Sequence, residues 1–83
     1  MALRRSELQK AIEHLQAGDW QAAHAIVQRD EDSGLACWAH GIVHIMEGDI
    51  PNARYWYGQA KRAFPAAVDA AAETRLLKKQ IGE

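Results

Sequence analysis

The feature that most limits what this chain can fold into is a Gly-Asp pair that occurs twice, at Gly18-Asp19 and Gly48-Asp49. Each pair stands between two stretches of helical apolar spacing. Glycine adopts the left-handed conformation that closes a helix without steric penalty. Aspartate accepts a hydrogen bond from the free N–H groups that open the next helix. A link this short folds the second helix back along the first. The two pairs lie 30 residues apart, and residues 11–23 align over 41–53 without a gap, matching Ile12 to Ile42, His14 to His44 and Ala23 to Ala53. The pattern predicts an all-α chain built on a repeated antiparallel helical hairpin.

The apolar stripes set the extents. Leu8, Ala11, Ile12 and Leu15, then Trp20, Ala23, Ile26 and Val27, define a first hairpin over 6–29, with Ser6 and Gln9 as a capping box. Leu35, Trp38, Ile42, Ile45 and Met46 form the stripe of a third helix, which Asp32 or Ser33 can cap. Asp49 caps the fourth, Pro51 fits its first turn, and Ala53, Trp56, Tyr57, Ala60 and Phe64 form its stripe up to Pro65. This second hairpin spans 33–64. Residues 66–81 contain no helix breaker, are rich in alanine and carry only a half-apolar face. They read as a capping helix over the end of a stack.

In the second hairpin Gly41, Gly48, Ala53, Tyr57, Ala60 and Pro65 stand in the order and spacing of the tetratricopeptide repeat (TPR), and the segment from Gly34 to Pro65 resembles that family. The resemblance implies a right-handed α-α superhelix that presents a groove to a protein or peptide. Two positions depart from the family's pattern. His40 stands where leucine is usual, and Cys37 where tryptophan is usual, with Trp38 one place later. The repeat offset is also shorter than the family period of about 34 residues, by about one helical turn. The missing turn falls at the end of the second helix or in Asp30-Glu31-Asp32, an acidic run that reads as a solvated connection.

Composition narrows the function classes. The 83 residues bound one domain of globular composition, 48% hydrophobic and 25% charged. The net charge is −1 with both signs scattered, so no basic stripe points to nucleic acid. No apolar run approaches the length of a membrane span. A single cysteine and a start without a signal-peptide pattern give the expectation of a cytoplasmic protein.

Two groups of residues could carry function. Leu35, Trp38, Ile42, Ile45 and Met46 would line the concave groove of a TPR-like stack. Either the last helix covers that groove, or it binds a second copy or a foreign peptide. The second group is polar. His40 and His44 share a helix face at i, i+4, with Glu47 three residues further and Asp49 and Asn52 around the following turn. Imidazoles at that spacing can bind a metal ion or exchange protons. The zinc-protease motif is absent, because Gly41 follows the first histidine, and Cys37 has no second cysteine. The alternative is structural: half-buried histidines bonded to Tyr57, a carboxylate or a backbone carbonyl. The recurrence of His14 at the position of His44 favours it. No nucleophile, phosphate loop or cofactor motif stands out. The resulting expectation is a non-enzymatic interaction module, homodimeric or part of a larger complex, without cofactor or resident metal. A metal-dependent or acid–base site at His40, His44 and Glu47 is the alternative.

Overall fold

Gly18 and Gly48 close their helices in the left-handed region, at φ of 80° and 91°. The two turns make the same bonds. Gly18 N–H donates to the Leu15 carbonyl at 3.1 Å and Asp19 N–H to that of His14 at 2.9 Å; Gly48 donates to Ile45 and Asp49 to His44 at the same two distances. Each aspartate then caps the next helix, Asp19 accepting from Ala22 N–H and Asp49 from Asn52 N–H. In this computed structural model, which describes residues 3–82, five helices form and no strand is present among the described residues. They are α1 (Arg5–Gln16), α2 (Trp20–Val27), α3 (Gly34–Glu47), α4 (Ile50–Gln59) and α5 (Ala70–Gln80).

α1 packs on α2, α3 on α4, α2 on α3, and α5 closes against both α1 and α3. The core follows the stripes: Leu8, Ala11, Ile12 and Leu15 of α1, Ala23 and Val27 of α2, Trp38, Ile42 and Val43 of α3, Tyr57 of α4, and Leu77 of α5. The chain measures 29 × 24 × 23 Å along its principal axes, so the helices surround one centre. No helix among the described residues is long and apolar enough to cross a membrane.

Several boundaries differ from those expected. α1 starts one residue before Ser6. The Arg4 N–H donates to Glu7 Oε1 at 3.1 Å, so Glu7 supplies the bond expected from Gln9. α4 stops at Gln59, well before Pro65. Lys61 enters the left-handed region at φ 59°, and Arg62 N–H reaches back to the Tyr57 carbonyl at 3.0 Å. That turn brings Phe64 edge-on to Tyr57, with ring centroids 5.1 Å apart. α5 begins at Ala70 rather than 66, because Asp69 can accept from Ala72 N–H and the alanines at 66 and 67 cannot cap.

The acidic connection is not simply solvated. Asp30 is 1% exposed. Its carboxylate accepts from Leu3 N–H at 3.0 Å, from Asp32 N–H at 3.1 Å and from Ser33 N–H at 3.0 Å. Burial pushes its pKa up, but the backbone donors outweigh that and hold it below the ordinary carboxylate range. Asp30 thus ties the chain ahead of α1 to the turn that opens α3. The adjacent Ser33 is the cap of that helix, its Oγ accepting from Ala36 N–H.

Candidate functional site

The polar face of α3 meets α2 on one side and α4 on the other. The His40 ring is 3% exposed and lies flat on Trp56 of α4, with centroids 3.9 Å apart and planes 9° from parallel. One turn along α3, His44 stacks beside His40 at 5.1 Å and 24°. From α2, His24 meets His40 edge-on at 4.9 Å and 83°, and His44 at 5.4 Å and 69°. One ring nitrogen from each of the three histidines lies within 4.8 Å of the other two. His44 and His40 are buried, and His24 is half-buried.

The hydrogen bonding within this group is uneven. His44 Nδ1 pairs with Glu47 Oε1 at 2.7 Å. A carboxylate only accepts, so Nδ1 carries a proton in this pair. His40 Nδ1 is buried and has no hydrogen-bond partner. Burial, and then the neighbouring His24 and His44, push the His40 pKa down to about 3. At neutral pH that ring is uncharged and offers a lone pair.

The structure stacks His40 beside His44, pairs Glu47 with His44 alone, and adds His24 to the two rings. The polar bonds are not the ones expected. Tyr57 does not reach a histidine; its hydroxyl donates to Glu73 Oε1 of α5 at 2.7 Å. Asp49 lies near His44 and Glu47, but its carboxylate caps α4, and Asn52 contributes the capped N–H. Sequence reading passed over His24 because it lies on the polar side of the α2 stripe. The available signal was the stacking order. α2 must pack on α3, and His24 directly follows Ala23, a fully buried contact residue.

The apolar set is redistributed as well. Trp38 and Ile42 are 1% and 0% exposed and belong to the core, so they do not line an open groove. The cover is α5: Trp38 Nε1–H donates to the same Glu73 Oε1 at 3.1 Å, and Arg62 lays its guanidinium 3.4 Å from the centre of the Trp38 ring. Leu35, Ile45 and Met46 are half-buried against the core. Met46 reaches an open cleft of about 520 Å3 with Leu15, Ala70 and Arg75. Beside it, sharing Gln16 and Arg75, a second cleft of about 680 Å3 runs along α5 past Ala72, Leu76, Lys78 and Lys79. Leu76 is 47% exposed there. Cys37 is buried, its thiol donates to the Glu31 carbonyl, and burial with the nearby Asp30 raises its pKa, which disfavours the reactive thiolate.

Compared with known proteins, the chain matches no family model, no curated protein and no solved structure.

Proposed function

We propose that this chain is a small, non-enzymatic interaction module of TPR-like type that takes an acidic amphipathic helix of a partner protein into the cleft between α1 and α5. The TPR-like part of the reading is supported by the two equivalent Gly-Asp turns and by the sequential packing of α1 on α2, α2 on α3 and α3 on α4. The observation that carries the binding surface is the cleft itself. Its floor is apolar, with Leu15, Met46, Ala72 and Leu76, and its rim is cationic, with Arg75, Lys78 and Lys79. Among the described residues, none of those three cations forms an ion pair. An apolar floor with an unpaired cationic rim suits a helix that is apolar on one face and acidic on its flanks. A foreign partner is favoured over a second copy because Trp38, bonded to Glu73 of α5, and Ile42 are already buried, and they are the part of the α3 stripe that would have driven self-association.

The test uses two synthetic amphipathic helices that share an apolar face and differ in flanking charge. The acidic peptide should bind, weaken as salt rises, and lose binding to Leu76→Asp and to the Lys78→Glu, Lys79→Glu double variant. The basic peptide should not bind. Indifference of the acidic peptide to Leu76→Asp rejects the cleft. A stable wild-type dimer in light scattering that Leu76→Asp dissociates would make a second copy the occupant.

A further inference from the structure

We propose that His24, His40 and His44 form a three-histidine site for a divalent transition-metal ion of the nickel–copper–zinc class, with Glu47 as its outer partner. The inference does not depend on the α1–α5 cleft, which lies elsewhere on the chain.

Three observations converge. The first is convergence of donors. A nitrogen from each ring lies within 4.8 Å of the others, although His24 comes from a different helix than His40 and His44. A tetrahedral ion with metal–nitrogen bonds of about 2.0–2.1 Å places its ligand nitrogens about 3.3 Å apart. Binding would draw the nitrogens together by up to about 1.5 Å, and His24 is the least buried of the three rings. The second is an orphan. His40 Nδ1 is buried without a partner, whereas most buried polar side-chain atoms have one. The rings packed against it are those of His24, His44 and Trp56, and none of them gives that nitrogen a hydrogen bond. A cation bound at the His40 ring would give this buried imidazole the polar partner that the fold withholds from its Nδ1.

The third observation is the outer shell. Metal-bound histidines usually donate their second N–H to a carboxylate or carbonyl, which fixes the tautomer and makes the ligand more basic. His44 already has such a carboxylate partner, with Nδ1–H on Glu47 at 2.7 Å; a metal ion would take its Nε2. Trp56 backs the His40 ring and holds its plane. The donor set decides the class of ion. Three neutral imidazoles suit borderline transition metals, and their number leaves one coordination position for water or another ligand. Calcium and magnesium favour oxygen ligands, and no carboxylate belongs to this group of three among the described residues. His44, Glu47 and Asp49 form a second close group, but Glu47 is bonded to His44 and Asp49 caps α4.

The experiment is calorimetric titration of the full, tag-free chain, stripped with chelator, with zinc, nickel and copper at neutral pH. Cobalt serves as a spectroscopic probe of ligand type. One ion per chain is expected, with nitrogen ligands in the cobalt spectrum. Substitution of a buried ring can unfold the chain, so the deciding variant is the half-buried His24→Gln. It should weaken binding more than tenfold while the metal-free protein keeps its helical content. Glu47→Gln should weaken it by about 10–100-fold. His14→Gln, at the equivalent position of the first repeat, should leave affinity unchanged. Absence of one-to-one binding by the wild type overturns the proposal, and so does affinity that His24→Gln leaves within twofold of the wild type.

Discussion

The imidazole of His40 stacks on the indole of Trp56 at 3.9 Å, with the planes 9° from parallel. This contact is part of what joins α3 to α4, at a position where an aliphatic side chain would serve if packing were the only requirement. A flat aromatic slab preserves the packing but introduces a titratable group that is 3% exposed. Protonation of that ring is thereby linked to folding.

The first prediction is the resulting pH dependence. The His40 pKa is pushed from the ordinary 6.5 to about 3 in the folded chain, by burial and then by His24 and His44. A depressed histidine favours the fold fully above pH 6.5. Below that the unfolded chain takes up a proton that the folded chain refuses, so stability falls as pH drops towards 3. One such proton corresponds to about 1.4 kcal/mol per pH unit at most. The groups facing His40 are His24 from α2 and His44 from α3, the latter paired with Glu47, while Trp56 of α4 adds no charge. Urea unfolding of the metal-free chain from pH 7.5 to 4.5 measures the slope. The His40 ring resonances should stay those of a neutral imidazole across that range. A flat stability profile with a titrating His40 would contradict the burial argument.

Two glycines should respond in opposite directions. A Cβ at Gly41 would stand 2.5 Å from Tyr57 Cδ1 and 3.3 Å from the Ala53 carbonyl oxygen. The Tyr57 ring is 1% exposed and its hydroxyl is held by Glu73, so it has little room to move aside. Overpacking of this kind costs about 1–3 kcal/mol, more than the roughly 1 kcal/mol that alanine gains over glycine in a helix. Gly41→Ala should therefore lower the unfolding free energy. Gly58 is also helical, yet nothing lies within 4 Å of its added Cβ. Gly58→Ala should raise stability by about 0.5–1 kcal/mol. Paired thermal melts decide both signs.

What the sequence disclosed and what it hid divide along one line. Gly48 and Asp49 act on bonds within a few residues of themselves, so their roles could be read directly, as could the buried stripes of Leu8 to Leu15 and Ala23 to Val27. Lys61 hid the end of α4, because a left-handed lysine carries no compositional mark, and Pro65 looked like the natural stop. His24 meets His40 and His44 only across a helix–helix contact, which no spacing along the chain announces. The stripe of α3 puts Trp38 on a concave, groove-lining face, whereas the structure buries it in the core. What remained undecided was its cover, because that depends on where α5 docks, and Glu73 sits on what looked like a half-apolar helix. Asp30 was misread because acidic runs usually face water. Its three backbone donors come from both sides of it, one of them far away in the chain.

Asp30 gives a third prediction. Asparagine has the same shape but only one acceptor oxygen, and its NH2 group would face an N–H donor. Asp30→Asn should break either the bond from Leu3 or the pair from Asp32 and Ser33, at a cost of about 1–3 kcal/mol. Amide hydrogen exchange locates the damage. Faster exchange at Leu3 or at Asp32 and Ser33, with α4 unchanged, is the expected pattern. Unaltered protection at all three amides would show that the carboxylate does not hold that corner.

The last prediction concerns Glu73, which does for α5 what no apolar contact can do alone. One of its oxygens accepts from Trp38 Nε1–H at 3.1 Å and from the Tyr57 hydroxyl at 2.7 Å, joining α3, α4 and α5 at one atom. Burial and this bond to Glu73 together push the Tyr57 pKa up, so the phenol stays protonated as a donor. Glu73→Ala leaves two buried donors without an acceptor, and each such loss costs about 1–3 kcal/mol. Allowing for water that reaches the half-exposed position of Glu73, the net loss should be about 2–4 kcal/mol. At this chain length each kcal/mol moves the Tm by about 4–8 °C. Glu73→Gln keeps one acceptor oxygen and should recover much of the loss, whereas a purely apolar role for α5 would make Glu73→Leu the better replacement. Ranking the melting points of the Gln, Leu and Ala variants separates the two accounts. The expected order is Gln above Leu above Ala, because only the amide can still accept from both Trp38 and Tyr57.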